Sequence, residues 1–165
     1  MYSRALKTLN KSDGRYLTPE EQQAVLDFGK SLPLRFEASR VVEKIEADVV
    51  RLVIEDMRRK YPRFETFHDR AWDKAHRDIE LTLRYLVQAM LLDDVEVATD
   101  KLLVWMRTIL ASFNMTPQFV RDTYVSLREA VRRLAPAEAY NLLAPHLENA
   151  IEVLSDFPEP ATPAV

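Results

Sequence analysis

Cysteine is absent from the 165-residue chain, and glycine occurs only twice. Without a thiol there is no disulfide framework, no cysteine-ligated zinc or iron–sulfur site, and no thiol nucleophile. Gly14 and Gly29 stand alone, so neither a phosphate-cradling glycine loop nor a dinucleotide fingerprint can be written in this sequence. Long apolar runs are missing as well: no stretch reaches the roughly 20 residues a bilayer-crossing helix needs, and no n-region, h-region and cleavage site stand at the start. A cytoplasmic protein without membrane insertion is expected. Nor is there an excess of positive charge. Lys and Arg number 23 against 26 Asp and Glu, a net charge of −3, which argues against a nucleic-acid partner.

What the sequence does have is helical periodicity, with no run of alternating apolar and polar residues that would build a sheet. Thr18-Pro19-Glu20-Glu21 places a capping threonine, a proline at the first helical position and a glutamate three residues after the cap. Thr116-Pro117 and Ala135-Pro136 open two further segments. Apolar stripes run through Phe36, Val42, Ile45, Val49, Val53 and Met57, ending at Tyr61-Pro62, and through Trp72, Ala75, Ile79, Leu83, Leu86 and Met90, ending near Asp93-Asp94. Later stripes are Leu102, Leu103, Met106 and Leu110, then Phe119, Tyr124, Leu127, Val131 and Leu134, then Leu142, Leu143, Leu147, Ile151 and Leu154. About six or seven unequal helices are too many for a plain four-helix bundle, and an all-α, globin-like packing suits them. The expected domain covers residues 1–157, and the Pro-rich residues 158–165, with nothing to bury, are expected to be disordered.

Candidate chemistry is sparse. None of the three histidines, His68, His76 and His146, has another at i+4, so a helix-borne metal pair is absent and no metal site is expected. His76 follows Trp72 by one turn and is the one credible axial ligand if the chain bound heme, but a boundary histidine that packs or meets water is the plainer reading, and heme is disfavoured. No nucleophile elbow surrounds any serine, so no enzyme is expected. The basic run Arg58-Arg59-Lys60-Tyr61-Pro62-Arg63 reads as a solvated helix end whose cations favour the negative end of the helix dipole. The densest constellation is Arg70-Ala71-Trp72-Asp73-Lys74-Ala75-His76-Arg77-Asp78-Ile79-Glu80. Its Lys74 with Asp78, and Glu80 with Arg84, could be simple i, i+4 surface pairs worth a few tenths of a kcal/mol.

That constellation, continued through Leu83-Arg84-Tyr85 to Ala89 and Asp94, resembles the central helix of the phycobiliproteins, the globin-fold family of phycocyanin and allophycocyanin. There the pattern reads Cys-x-Arg-Asp-(Met/Ile)-Glu, then Leu-Arg-Tyr, then an Ala-containing turn ending in Gly-Asp. Ser12-Asp13-Gly14-Arg15-Tyr16-Leu17-Thr18 is similar to that family's Asp-x-x-Gly-x-(Phe/Tyr)-Leu-(Ser/Thr), and Leu103-Val104-Trp105-Met106-Arg107-Thr108 to its Leu-x-Gly-Leu-Arg-Glu. The resemblance implies a globin-like fold with an N-terminal helical extension. It implies further that Arg77 pairs with a propionate of a linear tetrapyrrole, or bilin, and that Asp78 accepts hydrogen bonds from the inner pyrrole nitrogens. A carboxylate there would favour the protonated, cationic pyrroles, which absorb in the red when held extended. The family's chromophore-attaching Cys is replaced by Ala75, so attachment would be non-covalent. Trp72, Tyr85 and Trp105 are the expected aromatic walls, Arg70 and Lys74 the expected partners of the second propionate, and Ala75 and His76 the residues between.

The departures set the expected role apart from light harvesting, which needs a permanently fixed pigment. The chain is closer in character to the bilin biosynthesis-associated globins: a carrier, product acceptor or sensor for biliverdin or a phycocyanobilin-like bilin, with bilin-metabolism enzymes as possible partners. Asp93 replaces the family's glycine before Asp94, and Leu110 replaces a common tyrosine. The resemblance also implies a cross-subunit salt bridge between Asp13 and Arg84, with Tyr16 and Tyr85 beside it, in a symmetric homodimer. The alternative is a pigment-free globin-fold dimer acting through partner proteins.

Overall fold

The computed structural model describes Lys7 and residues 14–163 of the chain, and the described residues form helices and connections with no strand. The first long helix, α1 (Pro19–Lys60), starts where the sequence places it. Thr18 Oγ1 accepts from the Glu21 N–H at 3.3 Å and the Glu21 carboxylate accepts from the Thr18 N–H at 2.9 Å, while Pro19 occupies a position whose N–H would have no partner anyway. It ends in Arg58, Arg59 and Lys60, which suit the negative end of the dipole, before Tyr61-Pro62.

Two halves of α1 differ. Residues 19–34 contain no buried side chain, whereas Arg35, Ala38, Val42, Val49, Val50, Val53 and Met57 are buried. Pro33 sits within the exposed half and leaves the Gly29 carbonyl without its helical donor, a loss that solvent makes good where both residues are exposed. The sequence reading put Phe36 in the buried stripe, and the structure corrects this: Phe36 is 52% exposed. The buried face advances from Arg35 to Ala38 and Val42, and a side chain one position after Arg35 points about 100° away from it.

After α1 come the single turn α2 (Phe64–Phe67) and α3 (Ala71–Leu91). Then follow the short α4 (Glu96–Ala98), a π-helical turn (Thr99–Leu103) and α5 (Val104–Ser112). The chain closes with α6 (Pro117–Leu134), capped by Thr116 Oγ1 accepting from the Phe119 N–H at 3.1 Å, and α7 (Ala137–Leu154). The inner half of α1 packs on α3, α6 and α7, and α7 packs on α3 and α6. One apolar cluster fills the space between them, with Leu83, Leu86, Met90, Leu103, Leu127 and Leu143 wholly buried. Each such side chain contributes about 1.5–3 kcal/mol of transfer free energy. The all-α, globin-like arrangement with an N-terminal helical extension is thus the one the sequence predicts.

The turn after α3 shows why the residue before Asp94 is unusual. Asp93 has φ 52°, the left-handed region that favours glycine and that aspartate tolerates better than most residues. Unlike glycine, Asp93 offers a carboxylate, and the buried Arg35 uses it. Arg35 Nη2 stands 2.7 Å from Asp93 Oδ1, Nη1 donates to the Met90 carbonyl at 2.6 Å, and Nε donates to Ser31 Oγ at 2.9 Å. Asp94 is capped from the other side by Lys7, whose Nζ lies 2.8 Å from Oδ2 and also pairs with Glu96. Arg35 is the first buried residue of α1, so this turn is where the exposed arm joins the body.

Candidate functional site

A cavity of about 120 Å³ opens beside the first half of α3. Ala71, Ala75 and Asp78 lie at i, i+4 and i+7 and therefore form one stripe of α3 along its wall. Phe64 and Phe67 of α2, Ile109, Leu110 and Phe113 at the end of α5, Met115, and Phe119 and Tyr124 of α6 complete it. Its aromatic side is fixed by packing: Phe64 meets Trp72 edge to face at 4.8 Å and Phe119 at 4.8 Å, and Tyr61 meets Phe119 at 4.9 Å. Arg58 lies over the Trp72 ring at 5.3 Å, which gives one member of the basic run a specific place.

The wall is apolar apart from a few groups. Asp78 is half-buried, and burial raises its carboxyl above the ordinary aspartate value, with Arg77 and then Lys74 opposing. Arg77 Nη2 reaches Asp78 Oδ1 at 3.3 Å from the solvent side, and with Arg77 largely exposed the pair is weak. Behind Asp78, Thr82 Oγ1 donates to the Asp78 carbonyl at 2.8 Å. Having spent its proton there, Thr82 accepts from the Tyr124 hydroxyl, 3.3 Å away. Burial, reinforced by the nearby charge of Asp78, raises the Tyr124 phenol well above its ordinary value, so it stays a protonated donor. A carboxylate acceptor on the wall of an apolar pocket can receive N–H donors from a ligand that inserts there.

The mouth carries different chemistry. His68, in the turn between α2 and α3, and Lys74, on the outer edge of α3, both line it. Lys74 Nζ lies 3.2 Å from His68 Nδ1 and 3.1 Å from Nε2. Nδ1 also meets the Asp69 carbonyl in a short contact. That contact points Nδ1 at the Asp69 carbonyl, and the ammonium, nearly equidistant from the two ring nitrogens, lies over the imidazole rather than on the in-plane Nε2 lone pair. Arg70, at φ 61°, ends this turn and pairs with Asp73 at 3.0 Å.

Of the residues singled out in the sequence, Trp72, Lys74, Ala75 and Asp78 come together on the cavity, and Arg77 joins them through Asp78. The others do not line it. Arg70 is engaged by Asp73, and His76 is exposed, 3.8 Å from Glu80. Tyr85 is a partly buried residue at the edge of the core. Trp105 is 60% exposed because, directly after the π turn, α5 turns Met106 inward and Val104 and Trp105 outward. Arg84 reaches across to α1, 2.6 Å from Glu46, and stands 4.0 Å from Glu80. Tyr16 is almost fully exposed, and Asp13 lies outside the described residues. Sequence reasoning placed Tyr124 only in a core stripe and His68 only among the three histidines. A tyrosine at core spacing carries no sign that its hydroxyl faces a cavity, and His68 is joined to Lys74 by a turn.

Among the described residues no helix is long and apolar enough to cross a membrane, and no cluster of three or more His, Asp or Glu is arranged to hold a metal ion. The phycobilisome protein family model matches residues 8–154. No curated protein matches the chain.

Proposed function

The chain belongs to the phycobilisome protein family, and from that membership we propose that it binds a linear tetrapyrrole, biliverdin or a phycocyanobilin-like bilin, without a covalent bond, in the cavity beside α3. Its role is that of a carrier, product acceptor or sensor linked to bilin metabolism rather than a light-harvesting subunit or an enzyme. The observation that carries the reading is Asp78, a half-buried carboxylate at the edge of an apolar cavity, with Ala75 one turn earlier on the same wall. In the phycobiliprotein pattern Ala75 stands where the attaching cysteine would be, and a methyl group offers no nucleophile.

The donor set suits such a ligand. Asp78 can accept from pyrrole N–H groups, Trp72 and Phe64, set edge to face, give an apolar wall, and Lys74 and Arg77 present cations outside for propionates. Bound there, the ligand supplies light absorption. Size limits how much is enclosed. A cavity of about 120 Å³ is below the roughly 300–1,000 Å³ of pockets that engulf a drug-sized molecule, and is near the roughly 150 Å³ that admits a single benzene ring. One ring of the ligand is therefore held inside, next to Asp78, and the rest lies across the mouth. The same small volume favours a second reading, a pigment-free dimeric interaction module. In either case the exposed Leu26 and Leu34 of the α1 arm support a homodimer.

Titrating the purified protein with biliverdin and with phycocyanobilin tests the proposal. A saturable, red-shifted absorption change is expected, with all pigment released on denaturation. The absence of a saturable change with either pigment would overturn it and leave the interaction module.

A further inference from the structure

Among the described residues beyond α1, the exposed large apolar side chains are Val104, Trp105 and Phe113, and all three belong to α5 or to the residue that caps it. Trp105, Ile109 and Phe113 stand at i, i+4 and i+8 and form one stripe, of which Ile109 and Phe113 already line the cavity. Trp105 lies about 6 Å further along the helix axis than Ile109. Both ends of the stripe are held. At the near end the Phe113 N–H donates to the Ile109 carbonyl at 3.1 Å, and Asn114, at φ 56°, turns the chain so that Met115 returns to the cavity wall with its N–H on the Leu110 carbonyl at 3.2 Å. At the far end the π turn sets which residues of α5 face outward, and Asn149 of α7 donates to Thr99 Oγ1 within that turn at 2.8 Å. Trp105 stands where the motif that this stretch resembles has glycine, so its ring is a feature of this chain and not of that pattern.

We propose that the stripe Trp105, Ile109 and Phe113 is an outer shelf for the part of a flat, conjugated ligand that the cavity cannot enclose. The two sides of the opening differ in the way such a shelf requires. α3 brings Lys74 and Asp78, whereas the part of α5 that reaches the cavity brings no charged side chain, and Arg107, the one cation of α5, pairs with Asp156 at 3.3 Å. A cavity of about 120 Å³ holds one ring, so the rest of a longer ligand must leave over its rim. The apolar way out runs over Phe113 and Ile109 to the indole of Trp105, where a later ring stacks offset on its face. The ligand's polar edge then faces α3. Length is thereby read: a one-ring molecule fills the cavity without reaching Trp105, and a longer flat molecule engages both. The inference rests on the tetrapyrrole reading for the identity of the natural ligand; the shelf itself requires only that the ligand be flat, apolar on one face and longer than one ring.

The test separates the two. Biliverdin is titrated into the parent protein, Trp105→Ala and Trp105→Phe, alongside phenol as a one-ring probe and trans-4-hydroxystilbene as a two-ring probe, with binding read by absorption and by thermal shift. Trp105→Ala, an exposed substitution that leaves the core untouched, should bind biliverdin and hydroxystilbene about three- to tenfold more weakly and phenol as the parent does. Trp105→Phe, which keeps an aromatic face, should recover most of the loss. A loss of phenol binding as large as that of the longer ligands would overturn the shelf, as would a change in sedimentation of Trp105→Ala with every affinity unchanged, which assigns the stripe to a second copy. Biliverdin binding that is indifferent to Trp105 would overturn the shelf alone. Hydroxystilbene binding that depends on Trp105, beside a failed biliverdin titration, would overturn the tetrapyrrole reading alone. Binding of none of the three would overturn both.

Discussion

At Asp78 the needs of folding and of recognition oppose each other. Its carboxyl sits above the ordinary value chiefly because burial disfavours the charge, so the ionised form that a tetrapyrrole needs destabilises the fold near neutral pH. That penalty is present above the raised value and is relieved as pH falls through it. Asp78→Asn, which removes the charge that burial disfavours, is therefore expected to raise stability at neutral pH and to flatten its dependence on pH, while weakening the red absorption of any bound pigment. A thermal melt and a pigment spectrum on the same variant check both. His146 has the opposite sign. It is 4% exposed, and burial, with Arg35 next, lowers its imidazole from 6.5 to about 4. The folded state binds fewer protons than the unfolded one, so this contribution is complete above about pH 6.5 and is lost as pH falls toward 4, on the order of 3 kcal/mol at most. Denaturant midpoints between pH 7 and pH 4 should fall less steeply in His146→Gln than in the parent protein. Ala75, Arg77 and Asp78 stood out in the sequence only through the resemblance to the phycobiliprotein pattern, and Ala75 and Asp78 share the cavity wall because they are three residues apart on one helix face. Tyr124 and His68 did not stand out, because their roles depend on which way a core tyrosine and a turn histidine face.

Helix starts were readable wherever a side chain caps them. Thr18 and Thr116 cap α1 and α6, and both segments begin at the prolines that follow. Facing was less readable. Phe36 fits a helical stripe by spacing yet sits one position off the buried face, and Trp105 is turned outward just after a π turn that no residue announces. The turn after α3 gives the most discriminating prediction at this scale. Arg35→Ala should cost about 1–3 kcal/mol, because it removes the guanidinium that ties Ser31, the Met90 carbonyl and Asp93 together, although the Met90 carbonyl keeps the Asp93 N–H. Asp93→Gly keeps the left-handed backbone without strain but leaves the buried Arg35 guanidinium without its carboxylate. Asp93→Ala loses the pair and adds about 1 kcal/mol of backbone strain. Denaturant melts should therefore rank Asp93→Gly above Asp93→Ala; equal stability of the two would contradict the left-handed strain at this position.

The whole molecule is a helical body with an arm. The core that unites α1, α3, α6 and α7 was legible as stripes of apolar residues, but how much of α1 would stand outside it was not, since Leu26, Phe28, Leu32 and Leu34 look like core residues in sequence. A helix half that buries none of its leucines among the described residues is expected to cover them in a second copy. Leu26→Glu combined with Leu34→Glu should shift sedimentation toward the monomer without lowering helicity, and an unchanged sedimentation coefficient would argue against an arm-mediated dimer. The central claim is that a chain with no cysteine holds a tetrapyrrole reversibly beside Asp78. The most direct measurement is the visible spectrum of the protein purified from a host that makes heme oxygenase, with and without a bilin reductase. A red absorption band that leaves with the pigment on denaturation and is weakened in Asp78→Asn is the predicted result; a colourless protein in both hosts would contradict it.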